Sequence, residues 1–208
     1  AEHSGDIHLL TKKMIIKACT VLAKLAESDL EQTVAVNLLS HKLLEPDLVD
    51  FIEQQIRQFN IRPKFLIIEM TDEIMLSAGD RTQEMIAQLK GLGVGIAIDE
   101  FSGSYESLRY LRKMSIDQVK INCQLLKRNE ESRAGKAIVN ALINLVRAMQ
   151  LPLVGVAVDS TTIGDIFVRM EGEVAQGKMI CHGIAFDKFD TWLHEWFRQH
   201  PHPQITEK

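Results

Sequence analysis

Apolar positions along this chain recur with two alternating periods. Over roughly the first thirty residues, Ile7, Leu10, Met14, Ala18, Val21 and Leu25 return at steps of three and four with lysines between them, which predicts an amphipathic helix. TVAVNLL at 33–39 is short and β-branched, and reads as a strand. Pro46 and Asp47 then open a helix with Leu48, Phe51, Ile52, Ile56 and Phe59 on one face. FLIIEM at 65–70 predicts a second strand, followed by a helix over 81–92. VGIAID at 94–99 is a third strand, with a helical segment over 104–112, and DQVKIN at 117–122 is a fourth. A long amphipathic helix follows, carrying Ala137, Ile138, Ala141, Leu142, Leu145 and Met149. LPLVGVAV at 151–158 predicts a fifth strand, and a weaker sixth lies near 173–175. Residues 187–198 read as a last amphipathic helix, in which Trp192 and Trp196 serve either core packing or docking; 201–208 is polar.

Strands that are apolar on both faces and alternate with helices imply a parallel sheet covered by helices, either a barrel or an open doubly wound sheet. No GxGxxG follows a strand and no GxxxxGK[ST] occurs, so the open nucleotide-binding sheets lose their main marker. The more informative feature is the polar residue that each apolar strand carries near its end. These are Asn37, Glu69, Asp99 with Glu100, Lys120 followed by Asn122, and Asp159. In parallel (β/α) folds the C-terminal strand ends build the active site, so carboxylates, amides and a lysine gathered there suit cations and phosphate. Each also has a plainer reading. Asp159 before Ser-Thr-Thr fits a helix N-cap, and Asp99-Glu100 fits a turn or cap. Glu69 and Lys120 lie inside strongly apolar runs, where an unpaired charge is costly, and together suit a buried ion pair.

Composition narrows this little. At 208 residues with 46% hydrophobic and 25% charged positions, the chain has the make-up of one soluble domain. A net charge of −4 offers no general attraction to nucleic acid or anionic membrane. Cys19, Cys123 and Cys181 form no CxxC pair and read as reduced thiols of a cytoplasmic protein. His200 and His202 belong to no metal-ligand run, and neither a membrane span nor a signal peptide is visible.

The order of the strand-end motifs resembles that of the EAL phosphodiesterases. That family shows Asn before a Ser-containing turn, then E-x-T-E, D-D-F-G-x-G-x-S-S-L, K-x-D, A-E-G-V-E and Q-G-Y. The counterparts here are Asn37 in VNLLS, Glu69-Met70-Thr71-Asp72, the segment DEFSGSYESL at 99–108, Lys120-Ile121-Asn122, GVAVD at 155–159, and Gln176-Gly177-Lys178. The resemblance implies a TIM-like (β/α) barrel of EAL type over 1–198, with a polar tail over 199–208. It implies cyclic di-GMP as ligand and, in active members, hydrolysis to the linear pGpG with two Mg²⁺ or Mn²⁺ ions. On this mapping Asn37, Glu69, Asp99 and Glu100 are metal ligands, Lys120 positions the attacking water, and Asn122, Asp159 and Gln176 line the ligand site. Fused GGDEF or sensor domains, a larger membrane-linked protein and a homodimer are further expectations that the resemblance brings.

Departures from the family pattern qualify the function. The Glu-Ala-Leu motif precedes the first long helix in the family, so its strand and the one after it are expected to be missing here, leaving about six strands of eight. The family's A-E-G-V-E glutamate falls on Val156, a lost ligand position, because valine neither binds a cation nor accepts a proton. Glu100 replaces an aspartate, Ser102 and Ser104 replace glycines, and Asn122 replaces the K-x-D aspartate. A degenerate, catalytically silent domain that binds cyclic di-GMP or a protein partner is the leading expectation, with metal weak or absent; an active phosphodiesterase is the alternative.

Overall fold

The computed structural model describes residues 4–28, 31–38, 46–77, 79–124, 132–172 and 174–199. In chain order these form α1 (Ser4–Glu27), β1 (Val34–Asn37), α2 (Pro46–Gln58), β2 (Leu66–Thr71), α3 (Asp72–Ser77), α4 (Asp80–Gly91), β3 (Gly95–Asp99) and α5 (Tyr105–Leu111). They continue with β4 (Gln118–Asn122), α6 (Arg133–Ala148), β5 (Leu153–Val156), α7 (Thr161–Arg169), β6 (Val174–Ala175) and α8 (Phe189–Gln199). All pairings are parallel and the strands lie side by side in sequence order, from β1 to β6. The sheet curls into an open half-barrel with the helices outside: the helix-covered parallel sheet is what the alternating periods predict, and the barrel curvature is what the resemblance implies.

Strand parity divides the molecule into two sides. Val36, Leu38, Leu66, Ile68, Met70, Ile96, Ile98, Val119, Ile121, Cys123 and Leu153 face the helices and join one core with Ile15, Leu22, Ile52, Ile86, Leu89, Ile143 and Phe167. The opposite parity forms the concave face. Register places Asn37 beside Glu69, Glu69 beside Ala97, Thr71 beside Asp99, Lys120 beside Val154, and Asn122 beside Val156.

Most predicted elements appear with ends moved by one to three residues, but two helices present a different face to the core. In α1 the buried line is Thr11, Ile15, Ala18, Cys19, Leu22 and Leu25, while Leu10 is 49% exposed. In α6 Gly135, Val139, Ile143 and Val146 are buried, while Ile138 is 67% exposed. Both helices carry apolar residues on two adjacent lines, so periodicity alone cannot choose the line that meets the sheet. The six-residue α3, which follows β2 directly, was not expected; one and a half turns are too few to show a period. Asp159 is not the cap of α7: Ser160 is, its side chain accepting from Ile163 N, and Asp159 Oδ1 instead accepts from Lys178 N at 3.0 Å. Leu39, the Glu173 end of the sixth strand, the polar tail 201–208, His200 and His202 lie outside the described residues.

Near the C-terminus, Phe186, Phe189, Trp192 and Trp196 form a ladder with successive ring centroids 6.1, 6.0 and 5.6 Å apart. Lys24 at the end of α1 stands 5.8 Å from the Phe186 ring centroid, which brings the last elements beside the first helix. Trp192 and Trp196 are half-buried.

Candidate functional site at the strand ends

Every strand residue singled out in the sequence lies on the concave parity. Asn37, Asp99, Asn122 and Val156 are the last residues of β1, β3, β4 and β5; Glu69 and Lys120 sit within β2 and β4, and Gln176 directly follows β6. At the centre, Lys120 and Glu69 are each 5% exposed and form an ion pair. Lys120 Nζ also donates to Gln176 Oε1 at 3.1 Å, so one ammonium joins β2, β4 and the segment after β6. Glu69 Oε1 takes no other hydrogen bond among the described residues.

The strand ends are shaped by two left-handed residues that are not glycine, Glu100 at φ 53° and Ala157 at φ 58°. Glu100 lets the chain leave β3 so that its own N–H donates to Asp99 Oδ1 at 2.8 Å and Phe101 N donates to Lys120 O at 3.1 Å. Ala157 turns the chain out of β5 so that Val158 is buried and its N–H donates to Gln176 O at 3.0 Å. Gly177 is required by that turn, because a Cβ there would lie 2.3 Å from Val158 O and 2.5 Å from Val158 N. The Gln-Gly pair therefore has a physical reading: the glycine admits the Val158 peptide, and the glutamine before it reaches Lys120.

Asp72 is a structural residue whose role the sequence did not expose. It is 7% exposed, and its Oδ2 accepts from Ser102 N at 3.1 Å, Ser102 Oγ at 2.5 Å and Ser107 Oγ at 2.7 Å. Ser104 caps α5 by accepting from Ser107 N at 3.1 Å. Of the two serines at glycine positions of the motif, Ser102 thus holds the loop between β3 and α5 onto α3, with Ser107 beside it, and Ser104 caps α5. The available signal was an acid at the first position of an unseen helix, facing a serine-rich loop thirty residues away. Asn122 Oδ1 accepts from Gln124 N at 3.0 Å, and Gln124 Nε2 donates to Ala157 O at 3.3 Å, tying the ends of β4 and β5 together.

A two-cation centre needs several hard oxygen donors converging on each ion. Here Glu69 is taken by Lys120, Val156 offers no donor, one Asp99 oxygen is held by the Glu100 amide, and Asn37 and Glu100 are exposed. Among the described residues no three His, Cys, Asp or Glu side chains gather so as to hold a metal ion. The donors as arranged do not fit the pair of ions that the motif order implies.

The arrangement of a helix-covered parallel half-barrel with its polar residues at the strand ends is that of a (β/α)-barrel ligand site. The EAL domain family model matches residues 1–182, and the chain belongs to that family. It is 29% identical over 194 residues to the cyclic di-GMP phosphodiesterase NbdA of Pseudomonas aeruginosa, covering 93% of this chain and 25% of NbdA. It is also 29% identical over 148 residues to the blue light- and temperature-regulated antirepressor BluF of Escherichia coli, covering 71% of this chain and 36% of BluF. The chain thus spans between a quarter and about a third of these relatives. Among solved structures, the PaMucR phosphodiesterase in its c-di-GMP complex superposes with a TM-score of 0.83 at 25% identity, over 91% of this chain and 77% of that one.

Proposed function

We propose that this chain is a catalytically silent EAL domain that takes cyclic di-GMP on the concave face of its half-barrel and passes the bound state to a protein partner or to domains fused to it. Val156 carries this reading. It ends β5 on the concave parity, in register with Asn122 and two residues on from the partner of Lys120, where the motif order calls for a carboxylate. A side chain without a donor leaves a cation one ligand short at the place where water would be activated. Removing such a group is expected to cost orders of magnitude in rate, since even a 1 Å misplacement costs about 10²-fold.

Binding is a lesser demand than hydrolysis. Lys120, Gln176, Asn122 and Asp159 provide a cation and hydrogen-bonding groups for a phosphodiester and its bases. Lys120 remains a vestigial catalytic residue, Asn37, Glu69, Asp99 and Glu100 vestigial metal positions, and Mg²⁺ or Mn²⁺ is weakly held or dispensable. The c-di-GMP in the PaMucR complex and the antirepressor role in the name of BluF both support a domain of this fold that binds and signals. The length of the relatives supports a place inside a larger GGDEF- or sensor-containing protein. No described helix is long and apolar enough to cross a membrane, and we place residues 1–198 in the cytoplasm as the barrel, with 199–208 as its tail.

The test is calorimetric titration of the chain with cyclic di-GMP, with and without Mn²⁺, while chromatography follows the linear product. Binding without turnover is expected. Turnover at an ordinary enzymatic rate, on the order of 1 s⁻¹ or faster, overturns the silent reading. A second reading, an active phosphodiesterase, draws on the retention of Asn37, Glu69, Asp99 and Lys120 on one face, and the same experiment decides it.

A further inference from the structure

We propose that the Lys178 ammonium is the anion-binding group of this site, pairing with a phosphodiester of cyclic di-GMP when no divalent ion is present. The assignment rests on the receptor reading above and names the residue that makes metal-free binding workable. Three observations carry it. Within three positions after a strand end, the described residues include the acids Asp72, Glu73, Glu100 and Asp159, and Lys178 is the one basic residue among them. Its backbone is fixed at the mouth of the concave face. Lys178 N donates to Asp159 Oδ1 at 3.0 Å, Gly177 before it packs against the Val158 peptide, and Met179 N after it donates to Val158 O at 3.1 Å. The residue is exposed, and its ammonium has no partner among the described residues.

Charge balance gives this lysine its role. Both phosphodiesters of cyclic di-GMP are anionic, and a complete pair of divalent ions would offset them. The donors here do not fit such a pair, so the protein itself has to supply positive charge. Lys120 supplies little of it. Its ion pair with Glu69 already balances the ammonium, and the β3–β4 register, continued by one position, brings Asp99 beside it as well. Lys120 is left to donate hydrogen bonds, and with Glu69, Asp99, Glu100 and Asp159 at the strand ends the sheet alone repels an anion. Lys178 stands two residues after the glutamine that reaches Lys120, and carries its charge on a flexible stem that can turn to a phosphate without giving up a described partner. The motif order has tyrosine at this position, and a phenol brings no positive charge. Lysine at 178 therefore adds a cation to the site from which Val156 removes a carboxylate, and the two changes favour an anion over a metal ion.

Calorimetric titration of the whole chain with cyclic di-GMP in EDTA, repeated from low to moderate salt, tests the assignment in wild type, Lys178→Met, Lys178→Arg and Lys64→Met. Lys64 precedes β2 at the other end of the sheet, so its variant makes the same charge change away from the site. Wild type is expected to bind, and more weakly as salt rises. Lys178→Met should bind about tenfold more weakly and lose about one unit of slope in log Kd against log salt, the mark of one phosphate contact removed. Lys178→Arg should keep most of the affinity, and Lys64→Met should match wild type in both readouts. Melting temperatures of both Lys178 variants should match wild type, since the exposed side chain holds no described partner. Equal affinity in Lys178→Met, weaker binding with an unchanged salt slope, or an equal loss in Lys178→Arg or Lys64→Met overturns the assignment and leaves the receptor reading standing. Binding by wild type only after Mn²⁺ is added also overturns it, because an ion then carries the charge. Absence of binding with and without Mn²⁺ removes the receptor reading itself, and the assignment with it.

Discussion

At the scale of single residues, backbone conformation separates ordinary positions from special ones. Five residues other than glycine have positive φ. Asn60, Gln150 and Glu171 follow helices α2, α6 and α7, where the next amide bonds back to the helix, as in Ile61 N to Ile56 O, Leu151 N to Val146 O and Gly172 N to Phe167 O. Such left-handed residues are the usual way a helix ends. Glu100 and Ala157 end strands instead, at the mouth of the concave face, and strain of this kind collects at ligand sites. Ala157→Gly is therefore expected to stabilise the fold by about 0.5–1 kcal/mol, the left-handed penalty of alanine less the added freedom of the unfolded glycine. A urea midpoint that falls or stays put would contradict the strain. The opposite change at Gly177 has the opposite sign. Gly177→Ala drives a Cβ against the Val158 backbone, which has no rotamer to escape into, and should cost more than about 2 kcal/mol in the same assay. None of this was visible in the letters Gly-Val-Ala-Val-Asp and Gln-Gly-Lys, because φ and close approach arise only when β5 and the segment after β6 are side by side.

Among the elements, the loop between β3 and α5 shows how a substitution can be absorbed by new hydrogen bonds. Ser102 and Ser107 both donate to Asp72 Oδ2, while Asp72 Oδ1 is buried with no hydrogen bond among the described residues. The carboxylate thus takes its stabilisation from one oxygen and a cluster of short donors. Asp72→Ala removes three acceptances at once and leaves buried donors unserved, which should cost on the order of 2–3 kcal/mol. Hydrogen exchange at the Ser102 amide should accelerate with it, by a larger factor than amides in α2, and uniform acceleration would show that the latch is not local. The elements themselves were legible because a helix over a parallel sheet imposes 3.6-residue spacing on one segment and continuous apolarity on the next. The concave set was legible for a related reason: Asn37, Glu69, Asp99, Lys120, Asn122 and Val156 share a parity that parallel register turns into one face. What stayed hidden was the core-facing line of α1 and α6, and the existence of α3, since each is settled by the partner packed against it rather than by the segment alone.

For the whole molecule, the helix-covered side of the sheet holds two thiols whose chemistry reports on the integrity of the fold. Burial pushes the Cys19 thiol up to about 11 and the Cys123 thiol up to about 12, from an ordinary 9.0. Cys19 belongs to α1 and Cys123 follows β4 next to Gly155 of β5, so the two sample separate parts of the core. A folded value above the unfolded one means that the folded state holds its proton more tightly. The resulting stabilisation is complete below pH 9, where both states are protonated. It is lost as pH rises from about 9, where the unfolded thiols ionise, through the folded values of about 11 and 12. Melting temperature measured across this range should fall, and the fall should be shallower in a Cys19→Ala, Cys123→Ala double variant, which lacks both titrating groups. That variant starts from a lower stability at neutral pH, because each truncation empties part of the core, so it is the slope above pH 9 that tests the assignment. Equal slopes would mean that other groups govern alkaline unfolding. The same burial keeps both thiols protonated and shielded at neutral pH, so a thiol reagent should modify the half-exposed Cys181 first and reach Cys19 and Cys123 only as fast as the half-barrel opens.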